Sequence, residues 1–455
     1  MTLKPLSICS FSALLLLVAT GYGTVVLAAP ADDPSRLVAG PMPGYSAMRA
    51  TTIWLQGNTD SQVTLEYWPE QQPGQRQSTA PQRLTAEQQY ATHIDITDLQ
   101  PGTRYKYRVR LDDEPQAFSR EPGFQTQPLW NWRRPPPDFR MLAGSCAYVN
   151  DTAFDRPGKP YGSGYGIFEH MAGQSPDMML WLGDNVYLRE ADYDSYWGMA
   201  ERYRHTRALP ELQSLLRGTH HYAIWDDHDY GPDNANQAFP LKQHSLELFR
   251  RYWANPAYGL PDAPGVFTGF SFGDVDFFLL DDRYYRNADN APQTAAKGML
   301  GAAQLAWLRD GLLRSRAPFK IIANGSQMLN DLAGPEGWNH FRDERSGFLA
   351  WLVESSIPGV VFLSGDVHYS ALFKMERDKD YPLYELSCSP LTAGPRTRDL
   401  SADTLLVPGT HVRERNYCQL DFSGPAGARL LTISVINAYG DLQWSREIAS
   451  SELRN

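Results

Sequence analysis

The sequence predicts an α/β protein that carries a small all-β domain at its front. Three observations lead there. Six short apolar runs between Phe139 and Leu363 each end in residues able to do chemistry. Among them lie segments with helical spacing, Leu241–Ala254 and Ala302–Arg316, the second placing Leu305, Leu308 and Leu312 on one face. Ahead of all of these, residues 36–127 contain stretches that alternate apolar and polar with period two. Short apolar runs bounded by turn residues read as buried strands, and strands mixed with helices read as α/β.

Length and composition set the bounds. The 455 residues are enough for two or three domains with proper cores. A hydrophobic share of 42% and a charged share of 21% argue against a disordered chain. The formal net charge of -10 gives no support for nucleic-acid binding.

Lys4 precedes an apolar stretch, Leu6 to Ala19, and Ala28-Ala29 supplies small residues for cleavage. Residues 1–29 therefore read as a signal peptide rather than a membrane span, and the expected location is secreted or periplasmic. No other stretch is long enough to cross a bilayer. Beyond the leader the chain keeps Cys146, Cys388 and Cys418, an odd number. One pair plus a functional thiol and three buried thiols are both open.

The β-domain is read from Thr51-Thr52-Ile53-Trp54-Leu55-Gln56 and Val63-Thr64-Leu65-Glu66-Tyr67-Trp68, which alternate, and from His93-Ile94-Asp95-Ile96. Leu99-Gln100-Pro101-Gly102-Thr103-Arg104-Tyr105-Lys106-Tyr107 resembles the fibronectin type III signature, in which a Tyr packs back onto its own chain. Residues 128–138 read as a linker, because Pro135 to Pro137 cannot enter a sheet interior. A catalytic domain then spans 139–455. No site candidate lies before Cys146, so the sandwich reads as structural or substrate-flanking and as dispensable for chemistry.

The chemistry sits at the strand ends. Phe139–Ala143 is followed by Gly144-Ser145-Cys146, and Met178–Leu182 by Gly183-Asp184-Asn185-Val186-Tyr187. Tyr222–Trp225 leads into Asp226-Asp227-His228-Asp229, and Val275–Leu280 into Asp281-Asp282-Arg283-Tyr284-Tyr285-Arg286. Lys320–Ala323 precedes Asn324-Gly325-Ser326-Gln327, and Val360–Leu363 precedes Gly365-Asp366-Val367-His368. Open α/β sheets bind ligands just beyond the C-terminal ends of their strands. Toward the C-terminus, Arg429–Asn437 and Leu442–Glu447 read as a hairpin.

Each residue suggests a role. Asp184 suits a bridge between two metal ions, and Tyr187 three residues on reaches one of them. A phenolate and a thiolate are costly ligands unless a strongly charged cation is near, so Tyr187 and Cys146 point to a trivalent ion. Of Asp226 and Asp227, one ligates and the other orients His228, which protonates a departing alkoxide. Asp366 and His368 face the same way if the chain stays extended there. Asn234 is an oxygen donor, Gln327 a ligand or its support, and Arg283, ahead of Arg286, a fork for phosphate oxygens. The Tyr161-Gly162-Ser163-Gly164-Tyr165-Gly166 loop lacks the context of a nucleotide fingerprint and reads as a rim.

Across these motifs the chain resembles the alkaline phosphatase D (PhoD-like) family of metallophosphoesterases, relatives of purple acid phosphatases. The resemblance implies a four-layer α/β/β/α catalytic fold behind the small β-sandwich. It implies iron(III) with calcium, on Cys146, Asp184, Tyr187, Asp366 and His368, with Asp227 and Asn234 as further ligands. It implies an exported phosphoesterase in which a metal-held hydroxide attacks phosphorus, Arg283 neutralises the oxygens and His228 assists the leaving group. The expected partner is a small phosphate ester, a monoester first and a diester or phospholipid as the alternative. The rival class is a binding protein with a degenerate site, against which the full set of site residues argues. Family members commonly leave by the twin-arginine route, whereas no Arg-Arg pair stands near this N-terminus.

Overall fold

The computed structural model describes residues 36–454 apart from 120, 333–335 and 379. The leader expected at residues 1–29 lies outside the described residues. No helix among the described residues is long and apolar enough to cross a membrane.

Two antiparallel sheets form the front of the molecule. Leu37–Ser46, Thr51–Gly57 and Ala91–Ile96 make one, and Ser61–Pro69 and Arg104–Leu111 lead the other. Arg104–Leu111 alternates as its sequence requires, so Tyr105, Tyr107, Val109 and Leu111 enter the core between the sheets. The Tyr105 hydroxyl accepts a hydrogen bond from the Gln100 backbone N–H at 2.9 Å, the geometry of a tyrosine corner.

Behind them stand two six-stranded sheets. The first runs in the order His220–Ile224, Met178–Leu182, Phe139–Gly144, Asn416–Ser423, Leu430–Asn437 and Leu442–Ala449. The second runs Thr268–Phe272, Val275–Leu279, Phe319–Asn324, Val360–Ser364, Asp380–Ser387 and Ala371–Arg377. All six expected strands are present, as is the C-terminal hairpin.

Period-two alternation divides each central strand between two cores. Met141, Ala143, Met178, Leu180, Leu182 and Tyr222 pack inward with Phe277, Leu279, Ile321 and Val361 of the facing sheet. Their alternates Leu142, Met179, Trp181 and Ala223 pack outward on Met199, Tyr203, Leu216 and Phe249 of the helices. Across the second sheet, Phe278 meets Trp307 of the helix Ala302–Arg314. Helix, sheet, sheet, helix is the result. It explains why these strands read as unbroken apolar runs: both faces are covered.

Parallel pairing brings the strand ends into line. Leu182 pairs with Ile224 and Gly144 with Trp181, while Asn324, Ser364 and Ser387 align across the second sheet. The chemistry-bearing turns therefore emerge along one edge. Cys388, just past Asp380–Ser387, is disulfide-bonded to Cys418 of the first sheet, and Cys146 is a buried free thiol. The open question of the three cysteines is thus answered by one inter-sheet pair.

The front sandwich is not merely appended. Ser46 N–H donates to the Tyr222 hydroxyl at 2.9 Å, and the His220 ring reaches Gly44 and Gln125 carbonyls at 2.8 and 3.0 Å. Trp54 is fully buried, donates to the Arg251 carbonyl at 2.9 Å, and shares a core with Ala39, Met42 and the helices of the larger part. The buried Arg207 guanidinium lies 3.8 Å from the Trp253 ring and 5.2 Å from that of Trp54. Contrary to a separable module, the sandwich completes a core of the larger part.

Candidate active site

The Gly-Asp turns are built by close approach. A Cβ on Gly365 would stand 2.4 Å from the Leu182 carbonyl, and one on Gly325 would stand 2.6 Å from the Asp226 carboxyl carbon. Only glycine lets the two sheets bring their turns this near. Cys146, Asp184, Asn234, Asp366 and His368 all adopt positive φ, between 52° and 60°. Asn, Asp and His adopt that conformation more readily than other side chains, a thiol rarely does, and such backbone clusters at functional sites.

Cys146, Asp184, Tyr187 and His368 converge. Asp184 Oδ2 accepts from the Tyr187 hydroxyl at 3.0 Å and lies 3.6 Å from Cys146 Sγ. The Tyr187 oxygen is 3.3 Å from His368 Nε2. His368 Nδ1 is 2.7 Å from the Gly394 carbonyl, so a proton placed there leaves the Nε2 lone pair facing the cluster. Asp184 Oδ1 turns the other way, accepting from the His228 N–H at 3.3 Å.

Asp227 continues the cluster on that other side. Potential donor atoms of Cys146, Asp184 and His368 lie within 4.8 Å of one another, as do those of Asp184, Asp227 and His228, and of Asp226, Asp227 and Glu336. Asp184 and Asp227 are thus shared links in a chain of three groups. The His228 ring stacks on Tyr187 at 4.3 Å.

Several expected residues stand elsewhere than the sequence suggested. Asp226 does not orient His228. Its Oδ1 accepts from the Asp227 N–H at 2.9 Å and from Arg283 Nε at 2.5 Å, capping the short helix that follows. The carboxylate beside His228 is Asp233, at 3.6 Å from Nε2. Arg283 does not face solvent. It is fully buried, with its guanidinium on Asp226 and Glu336, because those carboxylates need a cation where water is excluded.

Asp366 and His368 do not share a face, since positive φ at both breaks the extended chain. His368 joins Cys146 and Asp184, while Asp366 is half-buried toward Asp227. Asn234 is exposed and touches the cluster through its backbone N–H, 2.6 Å from Asp227 Oδ2. Gln327 donates to Ser387 at 2.8 Å, away from the cluster, and Arg286 pairs with Asp289 at 2.8 Å.

Residues that sequence reasoning passed over complete the surroundings. Ser389 donates to Cys146 Sγ at 3.1 Å, and the Tyr161 hydroxyl lies 3.1 Å from His368 Nδ1. Asp229 accepts from the N–H groups of Asn185, Val186 and Asp226 at 3.0, 3.3 and 3.0 Å, tying two turns together. Glu336 and Arg396 come from distant loops. Only the Asp-Asp-His-Asp run hinted at Asp229; the others carry no local signal.

The donor set shows what it wants. Burial pushes the Cys146 thiol up to about 11. Burial, then Asp184 and Cys146, hold the Tyr187 phenol well above its ordinary range. Burial raises the Asp184 carboxyl, with Cys146 and Asp227 adding to it, and burial lowers His368. Asp227 differs: burial opposes its charge, yet His228 and Arg283 hold it down at about 2. Thiol, phenol, carboxylate and imidazole, buried together with no protein cation among them, fit a bound metal ion that would stabilise their anionic forms.

Comparison with known proteins agrees with this picture. A family model described as PhoD-like phosphatase matches residues 142–430, and one for a domain of unknown function matches residues 34–129. The chain is 24% identical over 379 residues to alkaline phosphatase D of Bacillus subtilis, a match covering 71% of this chain and 62% of that relative's length. A solved structure of PhoD superposes with a TM-score of 0.75 at 16% identity, covering 92% of this chain and 93% of that one. Purple acid phosphatase PPD1 from yellow lupin (Lupinus luteus) gives 0.67 at 13% identity, covering 90% and 74%. The shared four-layer fold and a match across most of the part that carries the clustered side chains lead to one conclusion: the chain belongs to the PhoD-like phosphatase family.

Proposed function

We propose that this chain is an exported, metal-dependent phosphoesterase that hydrolyses phosphate monoesters, with residues 1–29 a leader, 36–127 a fibronectin type III-like sandwich and 139–455 the catalytic domain. The observation that carries the reading is Asp184, whose two oxygens face two adjoining donor groups. Cys146, Asp184, Tyr187 and His368 would hold iron(III), and Asp184, Asp227 and Asp366 would hold calcium. Metal ions bound there supply Lewis acidity toward phosphoryl oxygens and water.

The chain's own residues do the rest. His228 stacks on Tyr187 beside Asp233, and its ring would protonate a departing alkoxide. Arg283 keeps Asp226 and Glu336 paired and Asp227 ionised. His368 and Gly394 fix one imidazole nitrogen toward the cluster.

The test is phosphate release from an aryl phosphate and from a bis-aryl diester, alongside elemental analysis of the purified protein. Metal content with monoester turnover is the expected result. Tight phosphate binding without turnover would favour the binding-protein reading, and diester preference would replace the monoester assignment.

A further inference from the structure

Among the described residues, Arg396 near the site forms no ion pair. We propose that Arg396 grips the phosphoryl group of a phosphate monoester dianion at the mouth of the site, the role that buried Arg283 cannot fill. The proposal rests on the phosphoesterase reading above.

Backbone geometry delivers Arg396 to that position. Thr392 and Ala393 N–H groups donate to the Cys146 carbonyl at 3.2 and 3.0 Å. The Gly394 carbonyl lies 2.7 Å from His368 Nδ1, and the Arg396 N–H donates to the His368 carbonyl at 2.9 Å. The segment is therefore laced onto two of the clustered residues, one from each sheet's edge. Arg415 fixes it from outside, donating to the Thr392 carbonyl at 2.8 Å and to the Tyr161 carbonyl at 3.1 Å. A Cβ on Gly394 would stand 2.9 Å from the Tyr161 ring, so that ring lies directly on the segment.

The side chain itself is exposed, while Arg189, Arg202, Arg283, Arg286 and Arg429 are buried on carboxylate partners. Among the described residues Arg396 makes no ion pair within 4.0 Å. The groups acting on its charge are Asp366, Cys146, Tyr161 and Tyr187, all on the site side. A guanidinium fixed at its root, free at its tip and facing the cluster suits a bidentate grip on phosphoryl oxygens.

The test compares wild type, Arg396→Ala and Arg396→Lys with their native metal load, which is measured in each. Arg396→Ala is expected to raise both KM for an aryl phosphate and the inhibition constant of inorganic phosphate by about 10- to 100-fold at unchanged metal content. Arg396→Lys should recover part of this as a point charge, and a bis-aryl diester should lose less than the monoester. Unchanged KM and phosphate inhibition in an active Arg396→Ala protein would overturn the grip alone. Metal lost in parallel with affinity would also overturn it, assigning Arg396 to neutralising Asp366. A metal-loaded wild type that neither turns over aryl phosphate nor binds phosphate would bring down both readings.

Discussion

The two halves of the candidate site differ in what stands beside their buried carboxylates. Around Asp226 and Glu336 the chain provides its own cation, and Arg283 is held well above its ordinary range against the cost of burial. Around Asp184 the described residues provide no ion-pair partner, and burial pushes Cys146, Tyr187 and Asp184 toward their neutral forms, as it does Asp226 and Glu336. The first half holds its counter-ion as folded. In the second, the proposed metal ions would take the place that Arg283 holds in the first. The contrast separates architecture from chemistry within residues that neighbour one another in sequence.

The contrast is broken most severely at Asp184, whose two oxygens face two adjoining donor groups. Asp184→Asn should weaken metal retention and turnover by more than about 100-fold, read by elemental analysis and phosphate release. Near-normal values in both would remove the bridging role. In the self-sufficient half, Arg283→Met leaves Asp226 and Glu336 without their cation. It should cost about 3–5 kcal/mol in urea unfolding, metal present or not. Stability equal to wild type would mean that those carboxylates do not depend on the arginine.

In the dependent half the pattern should invert. Cys146→Ser and Tyr187→Phe should change metal-free stability by about 1 kcal/mol or less. Each should weaken metal retention by about 10- to 100-fold. If iron(III) is the ion, native protein is coloured, and Tyr187→Phe shifts or removes the visible band. A colourless, active, zinc-containing protein would reject iron while sparing the phosphoesterase reading. The smallest effect is expected from Asn234→Ala, since its contact with Asp227 is through the backbone and its side chain is exposed. Calcium affinity falling there by more than about 10-fold would instead make the side chain a ligand.

Legibility followed burial. Strands covered on both faces, such as Met178–Leu182 and Val360–Ser364, announce themselves as apolar runs, and each expected strand lies within two residues of its position. Ala371–Arg377 carries Lys374, Glu376 and Arg377 on an edge and went unread. Within the site, residues one turn past a strand were legible because the strand locates them. Glu336, Ser389 and Arg396 were not, since their approach depends on how distant loops cross. The arginines show the limit most clearly: Arg283 follows a strand and is buried on carboxylates, whereas Arg396 follows none and is tied to His368 through its backbone. The sandwich likewise offers no site residue, yet nothing in its alternation tells that Trp54 completes a core some two hundred residues away.

That shared core has a consequence for biosynthesis. Residues 36–127 leave the ribosome first, and the partners of Trp54 and Met42 follow only with Arg207, Arg251 and Tyr252. For that interval an apolar patch of a half-finished chain has nothing to rest against, the condition under which nascent proteins stick to one another or call on chaperones. The order of synthesis thus places a period of vulnerability before the larger, site-bearing part exists. The module is also poorly suited to shuffling: transplanted in front of another enzyme, it would carry a tryptophan and a methionine shaped for a surface left behind.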